Sequence, residues 1–175
     1  GSQAEALRTD GKRIILLNVK LASFQDTILM NNNGDLVYIR DSLIQGDTDF
    51  MWGGSTSFIT NCEIRTLTSG TQITQARTSA NTNGFSFVGC QITRSNASIT
   101  GCGFGRDLGF TDNSVAFINC IVGDHISGWQ NADPRDWEYG LTNSSGFPTN
   151  YNGVQLPAGD PRLLLALSAT NWLYG

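Results

Sequence analysis

Five segments of this chain align without gaps, and that repetition limits the fold more than any other feature. They cover residues 16–21, 38–43, 59–64, 87–92 and 117–122. A large apolar residue opens each one: Leu16, Tyr38, Ile59, Phe87 or Phe117. Val19, Asp41, Cys62, Cys90 or Cys120 stands three positions on, and an apolar residue returns two positions later. Two positions before the opener stand Ile14, Leu36, Ser57, Phe85 or Val115, apolar in all but Ser57. Successive openers lie 22, 21, 28 and 30 residues apart. A period a little above 20 is about one coil of a parallel β-helix, whose coils bury their inner faces only by stacking. Amphipathic helices fit poorly, because the segments are rich in Val, Ile, Phe and Thr and are broken by clusters such as Asn31-Asn32-Asn33-Gly34.

The two longer intervals are expected to carry surface loops, around residues 66–80 and 98–112. Cys62, Cys90 and Cys120 recur at one repeat position and are expected to stack as buried thiols, with disulfides as the alternative. Cys102 lies off the repeat in Gly101-Cys102-Gly103-Phe104-Gly105 and receives no role. After Val122 the repeat fades into an aromatic-rich section, and residues 161–167 read as a short helix begun at Asp160-Pro161. Such a closing segment would cover the side or end of a solenoid whose strand edges are otherwise open.

A chain of 175 residues with 39% hydrophobic content suits one domain spanning 1–175. Its most apolar run, residues 163–167, is far shorter than the ~18 residues of a membrane span, so no membrane partner is expected. The N-terminus lacks the basic-then-apolar pattern of a secretory signal. Lysine is confined to Lys12 and Lys20, the arginines are scattered and the net charge is -4, which argues against nucleic acid as partner. With one histidine, His125, and no closely spaced cysteine pair, neither a zinc site nor any other metal or cofactor is expected.

Two stretches carry the chemistry. Phe24-Gln25-Asp26-Thr27-Ile28-Leu29 and Gly46-Asp47-Thr48-Asp49-Phe50-Met51-Trp52-Gly53 each follow a strand-like run. Stacked in register, they would bring Asp26 and Asp49 together although 23 residues separate them. A Ser-His-Asp arrangement could be built only around His125, whose neighbours give no nucleophile elbow. A carboxylate pair is better supported.

Several motifs together resemble the pectin methylesterases, carbohydrate esterases on a right-handed parallel β-helix. Gln3-Ala4-Glu5-Ala6-Leu7 is similar to the family's QAVAL, residues 25–29 to QDTL, residues 49–53 to DFIFG, and Phe104-Gly105-Arg106 to the start of LGRPW. His125-Ile126, Gly128-Trp129 and Trp137-Glu138-Tyr139-Gly140 resemble its C-terminal pattern. The resemblance implies an all-β, right-handed single-stranded parallel β-helix of the pectin lyase-like type with a short helical or irregular C-terminal segment. It covers the later part of the family's catalytic domain, with no counterpart of the opening coils. It further implies a monomer acting on a polysaccharide, methylated galacturonan, in a secreted or periplasmic setting.

By the same resemblance Asp49 is the nucleophile that forms an acyl-enzyme, and Asp26 the acid for departing methanol and later the base for water. Arg106 would orient Asp49, and Gln25 and Gln3 would donate to the oxyanion. Trp52, Trp129 and Phe50 are the substrate-side aromatics, Phe50 reading also as packing beneath Asp49. Structural alternatives stand beside each: a polar turn at residues 25–27, turn or calcium carboxylates at Asp47 and Asp49, an Arg106–Asp107 pair, core packing for Trp129, a structural His125. Asp107-Leu108 replaces the usual Pro-Trp and Trp52 the usual Phe, which puts the substrate, not the chemistry, in question. The competing functions are a polysaccharide-binding β-helix without turnover, an esterase or thioesterase on another substrate and, last, a lyase.

Overall fold

Three short strands per coil, joined by polar bends, account for the repeat. The computed structural model describes residues 3–80, 82–106, 108–109, 113–161 and 163. One sheet stacks Leu7–Thr9, Ile28–Met30, Met51–Gly53, Gln72–Ala76, Cys102–Gly105 and Ile126–Gly128 in parallel, and is called the site sheet below. A second runs from Arg13–Leu17 through Leu36–Arg40, Thr56–Thr60, Phe85–Val88 and Val115–Ile118 to Asp136–Tyr139 and Val154–Gln155. The third stacks Lys20–Ala22, Leu43–Gly46, Glu63–Thr66, Gln91–Arg94, Ile121–Val122 and Thr142–Asn143. The chain visits the three sheets in turn, which is the expected parallel β-helix, and parallel crossovers of this kind are right-handed.

Inward side chains form continuous columns. Leu16, Ile39, Ile59, Phe87 and Phe117 follow one another in the second sheet. The rings of Phe87 and Phe117 stack at 4.5 Å and 3°. The column ends on Glu138, which is fully buried. Its carboxylate accepts from Trp129 Nε1 (2.8 Å), the backbone N–H of Tyr151 (2.8 Å) and Gly153 (2.9 Å), and Gln155 Nε2 (2.7 Å). A buried charge needs such partners, and here they pin the closing segment over the last coil.

The register corrects one repeat. Leu16 pairs with Ile39 rather than Tyr38, so the inward ladder runs from half-buried Val19 through buried Ser42, Cys62, Cys90 and Cys120, and the residue two before the opener is Val37, not Leu36. Tyr38 faces outward, buried with Phe58 in a cluster of its own. An aromatic covered on the outer face had the look of an interior residue, and a one-residue slip exchanges the two faces. Asp41 stands instead at the bend, in the left-handed conformation (φ 52°) shared by Asn18, Asn61, Gly89, Asn119 and Gly140 on other coils. Asn, Asp and Gly tolerate that region best, so the bend is written in residue type.

The expected insertions also need correcting. Each contains a strand of the site sheet, Gln72–Ala76 or Cys102–Gly105, and Cys102 is a fully buried member of the interior. The glycines hid the second strand: a Cβ on Gly103 would lie 2.0 Å from Gln72 Oε1, and one on Gly105 2.3 Å from Thr74 Oγ1. Side chains of the preceding coil fill the space a substituent would need. All four cysteines are buried, free thiols. At the C-terminal end Leu156 and Leu163 pack on Ala116 and Ile118, covering an outer face of the second sheet. Pro161 and Leu163 are helical, and the remainder of the helix expected over 161–167 lies outside the described residues.

Candidate active site

The bend that leads into the site sheet places the two carboxylates. Ile28 pairs with Met51, so two residues earlier Asp26 lies beside Asp49 on the adjacent coil. The Asp26 N–H donates to the Thr48 carbonyl at 3.2 Å, and the Asp49 N–H to the Gln72 carbonyl at 2.9 Å. Both residues are left-handed, with φ of 59° and 49°. That conformation costs a non-glycine residue of order 1 kcal/mol or more, and such outliers collect at functional sites. Both are largely buried, Asp26 at 8% and Asp49 at 4% exposure.

Their surroundings differ. Arg106 follows Cys102–Gly105 and reaches back across the coil of Gln72–Ala76 to Asp49, its Nε donating to Oδ1 at 3.0 Å and its Nη2 to Oδ2. This bidentate ion pair fixes the plane of the Asp49 carboxylate and raises the pKa of Arg106. Burial pushes the Asp26 carboxyl up, the negative charges of Asp49 and Glu5 push it further, and Arg77 opposes them. One carboxylate is thus oriented by a cation while its neighbour leans toward the protonated form, the division of labour needed by a nucleophile and a proton donor.

Gln25 is partly buried next to Asp26, and Gln3 is exposed on the preceding coil, which joins the site sheet through the Ala6 N–H to Thr27 carbonyl bond at 2.9 Å. Trp52 is partly buried on the outward row of the site sheet, between Leu29 and Gln75 on the neighbouring coils. The Arg77 guanidinium lies over its ring at 4.6 Å. Phe50 is fully buried and belongs to the core, so its place is the packing beneath Asp49, not the substrate face. Trp129 is likewise a core residue at 6% exposure: its Nε1 is held by Glu138 and its ring sits 5.3 Å from that of Phe104. The last coils need large rings to fill their interior, and Trp129 serves there as packing rather than as an exposed platform.

Asp47 accepts from the Thr68 hydroxyl and behaves as a bend residue. Asp107, the alternative partner of Arg106, lies outside the described residues, and Leu108 is exposed. His125 is buried away from the pair, its pKa lowered by burial and by Arg94. Glu5, Gln75 and Arg77 carry no sequence signal of their own. Only the register places them around the carboxylates.

A family model described as Pectinesterase matches residues 1–129. Putative pectinesterase 11 of Arabidopsis thaliana is 33% identical over 140 residues, which cover 78% of this chain and 39% of that protein. The pectin methylesterase from Yersinia enterocolitica superposes with a TM-score of 0.79 at 23% identity, over 92% of this chain and 62% of that one. A pectin methylesterase in complex with a hexasaccharide gives 0.71 at 20% identity, over 86% and 54%. The chain therefore spans well under half the length of the curated relative and a little over half of these solved chains.

Proposed function

The chain belongs to the pectinesterase family, and from that premise we propose that it hydrolyses the methyl esters of homogalacturonan. Asp49 attacks the ester carbonyl carbon, and the amide hydrogens of Gln25 and Gln3 receive the charge that develops on the carbonyl oxygen. As the tetrahedral intermediate collapses, Asp26 gives its proton to the methoxy oxygen and methanol leaves, with Asp49 joined to the sugar as an acid anhydride. Asp26, now ionised, takes a proton from water. The resulting hydroxide attacks the same carbon, Asp49 leaves as a free carboxylate, and the galacturonic acid product gives its proton to solvent. Such a substrate is met outside the cell, in keeping with a secreted or periplasmic enzyme.

The observation that carries this reading is the bidentate grip of Arg106 on Asp49 with Asp26 one coil away. It gives one carboxyl group the orientation of a nucleophile and leaves the other to handle protons. Asparagine variants test it best, because asparagine tolerates the left-handed backbone that both positions require. Asp49→Asn and Asp26→Asn are each expected to lower methanol release from methylated pectin by at least about a thousandfold, roughly 4 kcal/mol of barrier. Undiminished turnover in Asp49→Asn would remove the mechanism. Pectin binding with no methanol release from the wild-type protein would select the non-catalytic binding reading instead.

A further inference from the structure

The carboxylate pair is the inner part of a row of three. Leu7 pairs with Ile28 and Ile28 with Met51, so two residues earlier Glu5, Asp26 and Asp49 hold the same position on successive coils. The backbone on either side of Glu5 is fastened to the Asp26 coil: Ser23 Oγ donates to the Ala4 carbonyl at 2.7 Å, and the Ala6 N–H to the Thr27 carbonyl at 2.9 Å. Those two anchors bracket Asp26. Glu5 stands where the QAVAL pattern has valine, so the third carboxylate belongs to this chain rather than to the motif. The cations around the row are engaged elsewhere. Arg106 grips Asp49, Arg8 holds Asp10 through bonds of 2.6 and 3.2 Å, and Arg77 donates to Gln75 Oε1 at 3.0 Å and lies over the Trp52 ring. Among the described residues Glu5 enters no salt bridge, and its side chain is exposed. Asp26 therefore meets negative charge from both neighbouring coils, with Arg77 opposing it. Like charges beside a carboxyl group favour its protonated form.

Resting on the esterase reading above, we propose that Glu5 is a positioning residue for that reaction, whose charge keeps on Asp26 the proton that departing methanol takes. Methanol can leave only while Asp26 is protonated, so the charge on Glu5 extends turnover to higher pH. The same charge makes ionised Asp26 the stronger base when it takes a proton from water. Glu5 acts through Asp26 and exchanges no proton with the substrate.

Two measurements on the intact chain test this. Methanol release from a fully methylated, uncharged galacturonan oligomer gives kcat/KM against pH, with no substrate charge for Glu5 to attract or repel. At low salt the alkaline limb of Glu5→Gln is expected about half a pH unit below that of wild type, and that of Glu5→Lys about one unit below. Glu5→Asp, which keeps the charge, is expected to stay nearer wild type than Glu5→Gln. Salt screens an exposed charge, so the displacement in Glu5→Gln is expected to fall about twofold or more in ~0.5 M sodium chloride. Coincident alkaline limbs for wild type, Glu5→Gln and Glu5→Lys would overturn the proposal. A displacement that salt leaves unchanged would do the same, because it would mark a structural disturbance. Carbon-13 NMR titration of the Asp26 carboxyl, assigned by the signal missing from Asp26→Asn, reads the effect without turnover. Its midpoint is expected to fall in Glu5→Gln, and an unmoved midpoint would count against Glu5. Absence of methanol from every substrate would defeat the esterase reading alone, and the Asp26 titration would still judge Glu5.

Discussion

Asp26 and Asp49 share a backbone conformation and differ in their company. Asp49 has a guanidinium, whereas Asp26 has two carboxylates, Asp49 and Glu5, with Arg77 as the opposing charge. Because the folded chain holds the Asp26 proton more tightly than the unfolded chain, this group favours folding fully below its ordinary value of 3.8. That contribution is lost as pH rises through the elevated folded value, above which the ionised side chain opposes the fold. Asp26→Asn should therefore be more stable than wild type at pH 7 and indistinguishable from it at about pH 3, measured as urea midpoints at both. Equal midpoints at pH 7 would show that Asp26 carries no such burden. Sequence alone located the two aspartates and Arg106 through their neighbours, but Phe50 and Trp129 were legible only as aromatics, and type does not tell a platform from a core ring.

At the scale of the element, strands and bends were legible to different degrees. Bends could be read from Asn, Asp and Gly, and the second and third sheets from recurring apolar residues. The site sheet was harder to see: Gly103 and Gly105 leave the strand Cys102–Gly105 without the branched side chains that mark a strand, since Gln72 and Thr74 fill that space from the coil before. The closing segment depends on a single carboxylate, Glu138, which accepts four hydrogen bonds in full burial. Replacing one acceptor oxygen by an amide NH₂ turns it to face the donors it formerly served. Glu138→Gln is expected to cost about 3 kcal/mol and to lower the melting temperature by about 6–12 °C. A calorimetric scan checks this, and an unchanged melting temperature would mean the segment is held by its apolar contacts alone.

For the molecule as a whole, stacking is what makes a coil stable, and the thiol ladder reports on it. Cys62, Cys90 and Cys120 occupy successive coils, and contact between thiols together with burial pushes the Cys62 and Cys90 thiols well above their usual range. The thiolate is the reactive form, so these groups should resist alkylation in the native protein. Native chains are expected to take up little iodoacetamide over hours at pH 8, and unfolded chains to be alkylated at all four cysteines. The three ladder thiols should become accessible together as denaturant rises. Separate onset for Cys62 and Cys120 would show that the two ends of the solenoid open independently, as weakly coupled repeats can.

The order of residues determined the repeat, the bends, the parallel β-helix and the identity of the carboxylate pair, because alternation of buried and exposed side chains and tolerance of left-handed backbone are local properties. Tertiary structure decided everything that depends on which residue meets which across coils: the slip that puts Ser42 rather than Asp41 in the buried ladder, the span of Arg106 back to Asp49, and the grouping of Trp52, Gln75 and Arg77. Coil lengths vary along the chain, and one residue more or less reverses which face a side chain takes. Lateral neighbours are therefore fixed only when the coils are laid on one another.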